Sequence, residues 1–471
     1  MSDYRRQHPI MILTNFLAQL RSWLLPIVFI VLLQTQFGQR GDFNIGTFIF
    51  PLAVVLLAPI YSSIQWFFYR YKLSDNALNI RSGIIVKKRR YIKKERVQTT
   101  NLEAGIILRI FNLTSLRVET AGSKSEAEAY LAALSKADAN RIQTYLSQTE
   151  GEEETSVEEQ REKVLSVPFN TLFLAGVTSG GIGVVFSIVG VFFSQAFVFL
   201  PDTVLDRLYD SVLAMSFLFI ALMVAVVFLI SWVISIIRYI IRFAFFTIET
   251  TQDEIIITRG LIVQKTFRLK AHRIQAISII EGLFREPFNL ATIECNVAGG
   301  SAYEPQYKVT LMPLLKRNEI QAFLHKLTPQ YNVTFKLEPL PKRALRRYLI
   351  RALIPFLLLS PLYFFFVWTL WLLIALPISL YLGYLRYKNG GLYHDEDTMV
   401  LRTRVLAKQT NIALKKHIQA IEHRQNPLQR LRSLSSFNFT VLSSPSHQTF
   451  VLKDMELSNL NILQTWFHRH Q

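Results

Sequence analysis

The ten residues Lys87-Lys88-Arg89-Arg90-Tyr91-Ile92-Lys93-Lys94-Glu95-Arg96 carry seven cations and one carboxylate. A run of that density suits an anionic surface, because each Lys or Arg held near a charged bilayer contributes about 1 kcal/mol. Tyr91 and Ile92 are the kind of residues that enter the interface beside such cations. Lys87, Lys88, Arg89, Arg90, Lys93 and Lys94 are therefore candidates for lipid-headgroup contact. The plainer alternative is a solvated strand face, or a collar of positive charge flanking a membrane segment.

Nothing in the chain assembles a catalytic or metal set. Gly176-Val-Thr-Ser179-Gly180 fails the Gly-x-Ser-x-Gly spacing of a nucleophile elbow. A Gly-Lys-Ser/Thr phosphate loop and a His-Glu-x-x-His zinc helix are both absent. His394-Asp395-Glu396-Asp397 are adjacent and point different ways on a strand or turn, so they read as a solvated acidic turn. His417 and His423 lack a third ligand at useful spacing, and the single Cys295 excludes an intramolecular disulfide and a multi-cysteine zinc site. No catalytic residue, metal or cofactor is expected.

The elements that must carry the basic run are set by an unusual composition: 51% hydrophobic and 18% charged over 471 residues, with a net charge of +18. Globular chains are roughly one-quarter charged. Long uncharged runs occur at about Ser22–Phe37, Gly46–Phe68, Leu172–Phe199, Leu213–Ile237 and Leu349–Leu385, the last long enough for two short spans with a reversal near Pro361 and Tyr363–Trp368. The expectation is six transmembrane helices in three hairpins. Arg5, Arg6 and Arg21, then Arg70, Lys72 and Arg81, Arg238 and Arg242, the cluster Lys342–Arg351, and Arg386 with Lys388 flank the polar ends. Asp202, Asp206 and Asp210 mark an outer turn. By the positive-inside rule every long polar segment and both termini lie in the cytoplasm. Gly176, Gly180 and Gly183 leave one helix face nearly bare, which suits close helix packing.

The polar segments repeat. Ile80-Arg-Ser-Gly83-Ile-Ile-Val86 matches Ile257-Thr-Arg-Gly260-Leu-Ile-Val263, and the same displacement of 177 residues pairs Arg96-Val97-Gln98 with Arg273-Ile274-Gln275, Phe111-Asn112-Leu113 with Phe288-Asn289-Leu290, and Ala121-Gly122 with Ala298-Gly299. A third copy keeps His417-Ile418-Gln419, while Arg404 stands where the glycine stands. Gln264-Lys265-Thr266-Phe267 replaces the basic run in copy two, so a headgroup site would belong to copy one. The recurring motif (Gly83, Arg96, Gln98; Gly260, Arg273, Gln275; His417, Gln419) reads as structural, with Glu119 or Glu294 as partners for the arginines. Leu78–Arg81 and Ile84–Val86 flank a Ser-Gly turn; Val97–Leu102, Ser115–Thr120 and Ala129–Leu134 continue the strand pattern. A helix opened by Asp138 closes copy one, with Asn318–Leu327 and Asn459–Phe467 at the matching places. Each copy thus reads as an antiparallel sheet of about seven strands capped by a C-terminal helix.

These motifs, and the threefold alternation of hairpin and polar domain, resemble the bacterial pleckstrin-homology (PH) domain of YdbT-like membrane proteins. The resemblance covers nearly the whole chain. It implies an α+β membrane protein with PH-like domains, placement in a bacterial cell membrane, and a smaller partner membrane protein with a single PH-like domain; it implies no defined activity. The layout is 1–68 with hairpin one, PH-like domain 69–148, acidic linker 149–168, hairpin two 169–242, PH-like domain 243–330, basic linker 331–348, hairpin three 349–385, and PH-like domain 386–471. The function that follows is non-enzymatic presentation of three cytoplasmic domains at the inner leaflet, for binding anionic lipid headgroups or proteins. A transporter or exporter of lipid or peptide is the other reading, weakened because the interiors of the six expected spans hold no Asp, Glu, Lys, Arg or His. Nucleic acid is not an expected partner, since the membrane collars account for much of the positive charge.

Overall fold

Alternation of apolar and polar residues makes strands of each polar segment. In the segment Ala77–Ser82, Leu78 and Ile80 are buried while Asn79 and Arg81 face outward, the period of two that a half-buried strand requires. The structure, a computed structural model, describes residues 4–37, 46–74, 76–84, 86–120, 129–147, 162–196, 217–251, 254–298, 308–365, 373–443 and 446–468. Within these, each copy contributes seven strands. Copy one holds β1 (Arg5–Arg6), β2 (Arg70–Ser74), β3 (Ala77–Ser82), β4 (Lys88–Lys93), β5 (Val97–Ala104), β6 (Leu113–Thr120) and β7 (Ala129–Ser135). Copy two holds β8 (Glu162–Ser166), β9 (Thr247–Thr250), β10 (Glu254–Arg259), β11 (Gln264–Lys270), β12 (Ile274–Glu281), β13 (Leu290–Val297) and β14 (Lys308–Lys316). Copy three holds β15 (Glu338–Pro339), β16 (Gly391–His394), β17 (Thr398–Arg404), β18 (Lys408–Leu414), β19 (Ile418–Arg424), β20 (Leu434–Ser443) and β21 (Ser446–Glu456).

One sheet per copy is not what forms. A one-turn 3-10 helix breaks every copy between its fourth and fifth strands, at Lys94–Arg96, Ala271–Arg273 and Lys415–His417. The sheets run β1-β2-β3-β4, then β7-β6-β5-β11-β10-β9-β8, then β14-β13-β12-β18-β17-β16-β15, then β19-β20-β21. The last three strands of one copy therefore join the first four of the next, through β5·β11 and β12·β18. The chain divides into two compact units, Met1–Ala121 with Ala127–Glu249 and Ile256–Arg268, and Gly122–Glu126 with Thr250–Ile255 and Leu269–Gln471. In the first, Leu78, Ile80 and Ile92 pack with Leu116, Val118 and Leu131 and with Ala139, Ile142 and Leu146 of the helix Lys136–Ser147. The Ser135 hydroxyl accepts from the Asp138 N–H (3.0 Å) and donates to its carboxylate (2.8 Å), which caps that helix. In the second, Leu401, Phe437, Phe439, Val441, Phe450 and Leu452 gather around Leu463 of the helix Leu457–His468.

The expectation of six transmembrane helices is overturned. Among the described residues one helical stretch, Ala221–Phe243, is long and apolar enough to cross a membrane, with mean hydropathy 2.4; Val55–Phe68 is apolar but shorter. The other apolar runs are interrupted. Helix Ile10–Phe37 contains Arg21 and Pro26, with Asn15 and Gln19 hydrogen-bonded to Gln65 and Ser62 of the helix Gly46–Phe68. The run from Leu172 breaks between Phe169–Val177 and Ile182–Ala196, where Thr178 turns its hydroxyl back to the Leu174 carbonyl (2.8 Å). Helix Leu345–Phe365 opens with Arg346, Arg347 and Arg351 and continues through Pro361 without reversing, and Ala375–Asn389 ends in Arg386 and Lys388. The outer turns expected after the first and third helices fall at 38–45 and 197–216, outside the described residues, as do Asp202, Asp206 and Asp210 and most of the acidic linker; of the reversal expected at Pro361 and Tyr363–Trp368, the part up to Phe365 is helix and the rest lies outside the described residues.

Candidate functional site: an arginine row on the first sheet

The basic run is an edge strand. Of Ile84–Val86, expected as the strand after the Ser-Gly turn, Ile84 and Val86 lie outside any strand, and Lys88–Lys93 is the strand β4 that ends the first sheet. The displacement comes from Gly83, whose φ is +103°; Gly260 repeats it at +111°. A Cβ at either glycine would sit 2.0 or 2.1 Å from the carbonyl oxygen three residues on, Val86 or Val263, so only glycine fits the tight loop. Along β4, Ile92 alone is buried; Lys88, Arg89, Arg90, Tyr91 and Lys93 are exposed. Lys87 immediately precedes the strand, and Lys94 follows it with its ammonium 5.2 Å from the Tyr145 ring centre.

Register turns scattered arginines into a row. Arg6 lies opposite Arg70, Arg70 opposite Arg81, and Arg81 opposite Arg89. Directly opposed residues share a face, with Cβ atoms about 4.5–5.5 Å apart, so four guanidiniums cross the whole sheet side by side. Parity places them away from the core face, which Tyr71, Ile80 and Ile92 occupy. The next positions on the outer face are Lys72, Asn79 and Tyr91 in one row and Lys93 beyond. The nineteen residues of β1–β4 include nine cations and no carboxylate. Arg5, on the core face, reaches Asp138 at 3.5 Å. Among the described residues no carboxylate pairs with Arg6, Arg70, Arg81 or Arg89. Arg6 lies over the Phe67 ring (4.5 Å) and Arg81 over Tyr4 (4.0 Å). The row also sits beside the helix pair: Arg6 is four residues before Ile10, and Arg70 two residues after Phe68.

The Arg-Ile-Gln motif forms the corner between sheets. Arg96, Arg273 and His417 each end the 3-10 turn, and Val97, Ile274 and Ile418 are buried as the next strand begins. The pairing of that strand then skips one residue in every copy, between Val97 and Thr99, Ile274 and Ala276, Ile418 and Ala420. Gln98, Gln275 and Gln419 are thus the extra residues of β-bulges, which bend and twist a strand. The Gln275 amide donates to the Arg273 carbonyl (3.2 Å), and Gln419 is exposed. Burial lowers the pKa of Arg273. Burial, reinforced by the nearby charges of Lys416 and His272, lowers His417 to about 4. Tyr331 gives its hydroxyl proton to the Ile274 carbonyl, so the His417 Nδ1 at 3.1 Å donates to the Tyr331 oxygen.

Other singled-out residues are dispersed. Gly176 is where an added Cβ would touch Ile236 Cγ2 at 3.2 Å, whereas Gly180 lies in the helix break and Gly183 faces open space. Asp395 accepts from the backbone N–H groups of Asp397 (3.0 Å) and Thr398 (2.8 Å), closing its acidic turn. Among the described residues no group of three or more His, Cys, Asp or Glu is arranged to hold a metal ion. Arg404, which replaces the turn glycine in copy three, is buried in β17 and paired with Glu286 at 2.7 Å. Arg347 and Arg351, expected as flank charges, converge on the fully buried Asp454 at 2.8 and 2.5 Å.

A four-plus-three strand layout closed by a C-terminal helix, three times over and joined to apolar helices, defines a membrane-associated protein built from PH-like units. The Bacterial PH domain family matches residues 27–150, 186–330 and 350–471. The chain is also 30% identical to the UPF0699 transmembrane protein YdbT of Bacillus subtilis (strain 168), over 99% of its own length and 98% of that protein's. It belongs to the YdbT family of bacterial PH-domain membrane proteins. Neither description names a catalytic activity.

Proposed function

We propose that the chain is a non-enzymatic, multi-pass membrane protein that presents its PH-like domains on the cytoplasmic side of a bacterial cell membrane, with both termini on that side. The first sheet holds anionic phospholipid headgroups there. The arginine row carries this reading. Like charges directly opposed across strands destabilise a sheet, so four in a row call for an anion outside the protein. A guanidinium's planar fork suits a phosphate. The apolar loops beside the helices support the same orientation. Ile84 and Val86, Leu261 to Val263, and Val405 with Leu406 are all exposed, one set per copy. Leu261 hydrogen-bonds back to the Ile241 carbonyl of its helix, and the Val405 carbonyl accepts from Arg386 of another. Exposed apolar patches of this kind mark contact surfaces, membranes among them.

The test uses the full chain in neutral micelles, titrated with short-chain phosphatidylglycerol or phosphatidylcholine. The anionic lipid should bind and raise the unfolding temperature, and the zwitterionic one should not. At about 1 kcal/mol per cation, changing Arg70, Arg81 and Arg89 together to Gln should weaken binding about 150-fold. Binding should also weaken as salt rises. Without lipid, Arg70→Thr should raise stability by about 0.2–1 kcal/mol by relieving the row. Equal lipid binding by wild type and the triple variant would make the row a solvated strand face.

A further inference from the structure

We infer that the free edge of β4 is a docking site for an antiparallel strand from a PH-like domain of a second polypeptide, one that carries a carboxylate opposite Lys88. The inference goes beyond headgroup binding: it uses the strand's edge and Lys88, not the outward arginine row. Its basis is a junction that the chain builds twice and leaves open once.

At β5·β11, Ala104, Glu103, Leu102 and Asn101 oppose Gln264, Lys265, Thr266 and Phe267. At β12·β18, Glu281, Ile280, Ile279 and Ser278 oppose Lys408, Gln409, Thr410 and Asn411. The repeat matches these pairs position for position, so both junctions use one register. Each places a carboxylate against a lysine across the seam, at neighbouring positions: Glu103–Lys265 at 3.3 Å in the first and, one residue along, Glu281–Lys408 at 2.6 Å in the second, where Ile280 and Gln409 take the places of Glu103 and Lys265. β4 is the copy-one equivalent of β11 and β18, with Lys88 at the place of Lys265, and among the described residues it ends its sheet. Its exposure shows the consequence. Five of the six residues of β4 are exposed, whereas none of β11 or β18 is. An unpaired strand edge is a template for another strand.

The strand missing from β4 is the fifth strand of a PH-like unit. Among the described residues one such strand has no outer neighbour, β19, which ends its own sheet and has five exposed residues where β12 has none. Charge argues against two copies joining through it. In the shared register Arg424 of β19 would face Lys88, and His423 would face Arg89. Arg424 stands where Glu103 stands in the first junction. Arg424 is held by Glu422 at 2.5 Å, yet it still sets a cation against Lys88 at the position where the first junction has its ion pair, and this disfavours that partner. The occupant that fits is a separate polypeptide whose matching strand keeps the carboxylate.

The register makes this testable without knowing that polypeptide. The purified full chain should be one chain per micelle by light scattering. Arg424→Glu would set glutamates opposite both Lys88 and Arg90, the latter through Glu422, and should drive concentration-dependent association into dimers and longer assemblies. Adding Lys88→Glu to the same chain should return it to a single chain; because Arg424→Glu also removes the Arg424–Glu422 ion pair, Arg424→Gln serves as the control, which loses that pair and should stay single. In native membranes, a photoreactive benzoylphenylalanine in place of Lys88 should cross-link to an acid-bearing edge strand of a PH-like domain in another polypeptide. Three results would overturn the inference: an Arg424→Glu chain that stays single, a wild-type chain already joined through β4 and β19, or photoadducts consisting of phospholipid alone. Loss of lipid binding in the arginine-row variants, with Lys88 intact, is read separately and bears only on the headgroup proposal.

Discussion

Asp454 is the most buried charge whose removal can be read in magnitude. It is 0% exposed in β21 and holds three partners: Arg347 and Arg351 of the helix Leu345–Phe365, and the Gln429 amide at 2.8 Å. Its φ of +60° is one that asparagine also tolerates, so Asp454→Asn removes charge with little change of backbone preference. Breaking a buried ion pair from one side costs about 3–5 kcal/mol. The two arginine side chains are 16% and 29% exposed and regain some water, which puts the expectation at the lower end, about 3 kcal/mol. At 1.4 kcal/mol per factor of ten, amides of β20 and β21 should then exchange with deuterium about 150-fold faster. Hydrogen exchange suits this chain because it reads local opening, and a multi-unit protein gives no single unfolding free energy. Arg351→Met leaves Arg347 in place and should cost about 1 kcal/mol, roughly a fivefold change. If Asp454→Asn leaves exchange within fivefold of wild type, the charge is not what ties this helix to the third domain.

Two further expectations concern the fold. Gly83→Ala and Gly260→Ala should each destabilise by about 1–3 kcal/mol, because both force a Cβ into a carbonyl at positive φ; Gly105→Ala, at a φ of −68° with open space around it, should be near neutral, and equal effects at all three would refute the strain argument. His417 is held to about 4 by burial and then by Lys416 and His272, against about 6.5 when unfolded. Between those values the unfolded chain binds a proton that the folded chain refuses, so this contribution is full above about 6.5 and is lost as pH falls toward 4. His417→Gln should flatten stability between pH 6.5 and 5, measured by exchange at β12 and β18, and an unchanged slope would rule His417 out as its source.

Local features were legible in the sequence because the repeat displays them more than once. The offset that aligns Gly83 with Gly260 also aligns their positive φ values, and it aligns Asn112 with Asn289, both left-handed, with Ser433 in the same conformation in copy three. The capping helices fall where Asp138, Asn318 and Asn459 place them, within a few residues. Strand pairing between copies was not legible. It depends on partners such as Glu281 and Lys408, or Ser278 and Asn411, that lie over a hundred residues apart, and a domain-by-domain reading assigns each copy its own sheet. The arginine row was hidden for the same reason. Its members lie at 6, 70, 81 and 89, and only one belongs to the conspicuous basic run. Helix spans were overcounted because lack of charge along a run says nothing about breaks within it, such as the turn at Thr178.

The flank charges now divide into two groups with different consequences. Arg343 pairs with Glu456, Arg347 and Arg351 with Asp454, and Arg404 with Glu286. Burial opposes ionisation of Glu286, but the hydrogen bond from Arg404 and the charge of Lys408 hold its pKa below the ordinary carboxylate range. In copy three, then, arginines next to apolar helices are bound internally and are poor reporters of a lipid surface. In copy one the first sheet has nine cations and no carboxylate of its own. A counterion for that sheet must come largely from outside it, at the level where Arg6 and Arg70 adjoin the helix pair. On the proposed reading anionic lipid supplies it on the outward face, and a carboxylate-bearing strand supplies it along the β4 edge. The proposed headgroup and the proposed strand would use different atoms, since Arg89 points outward and Lys88 shares the side of Ile92.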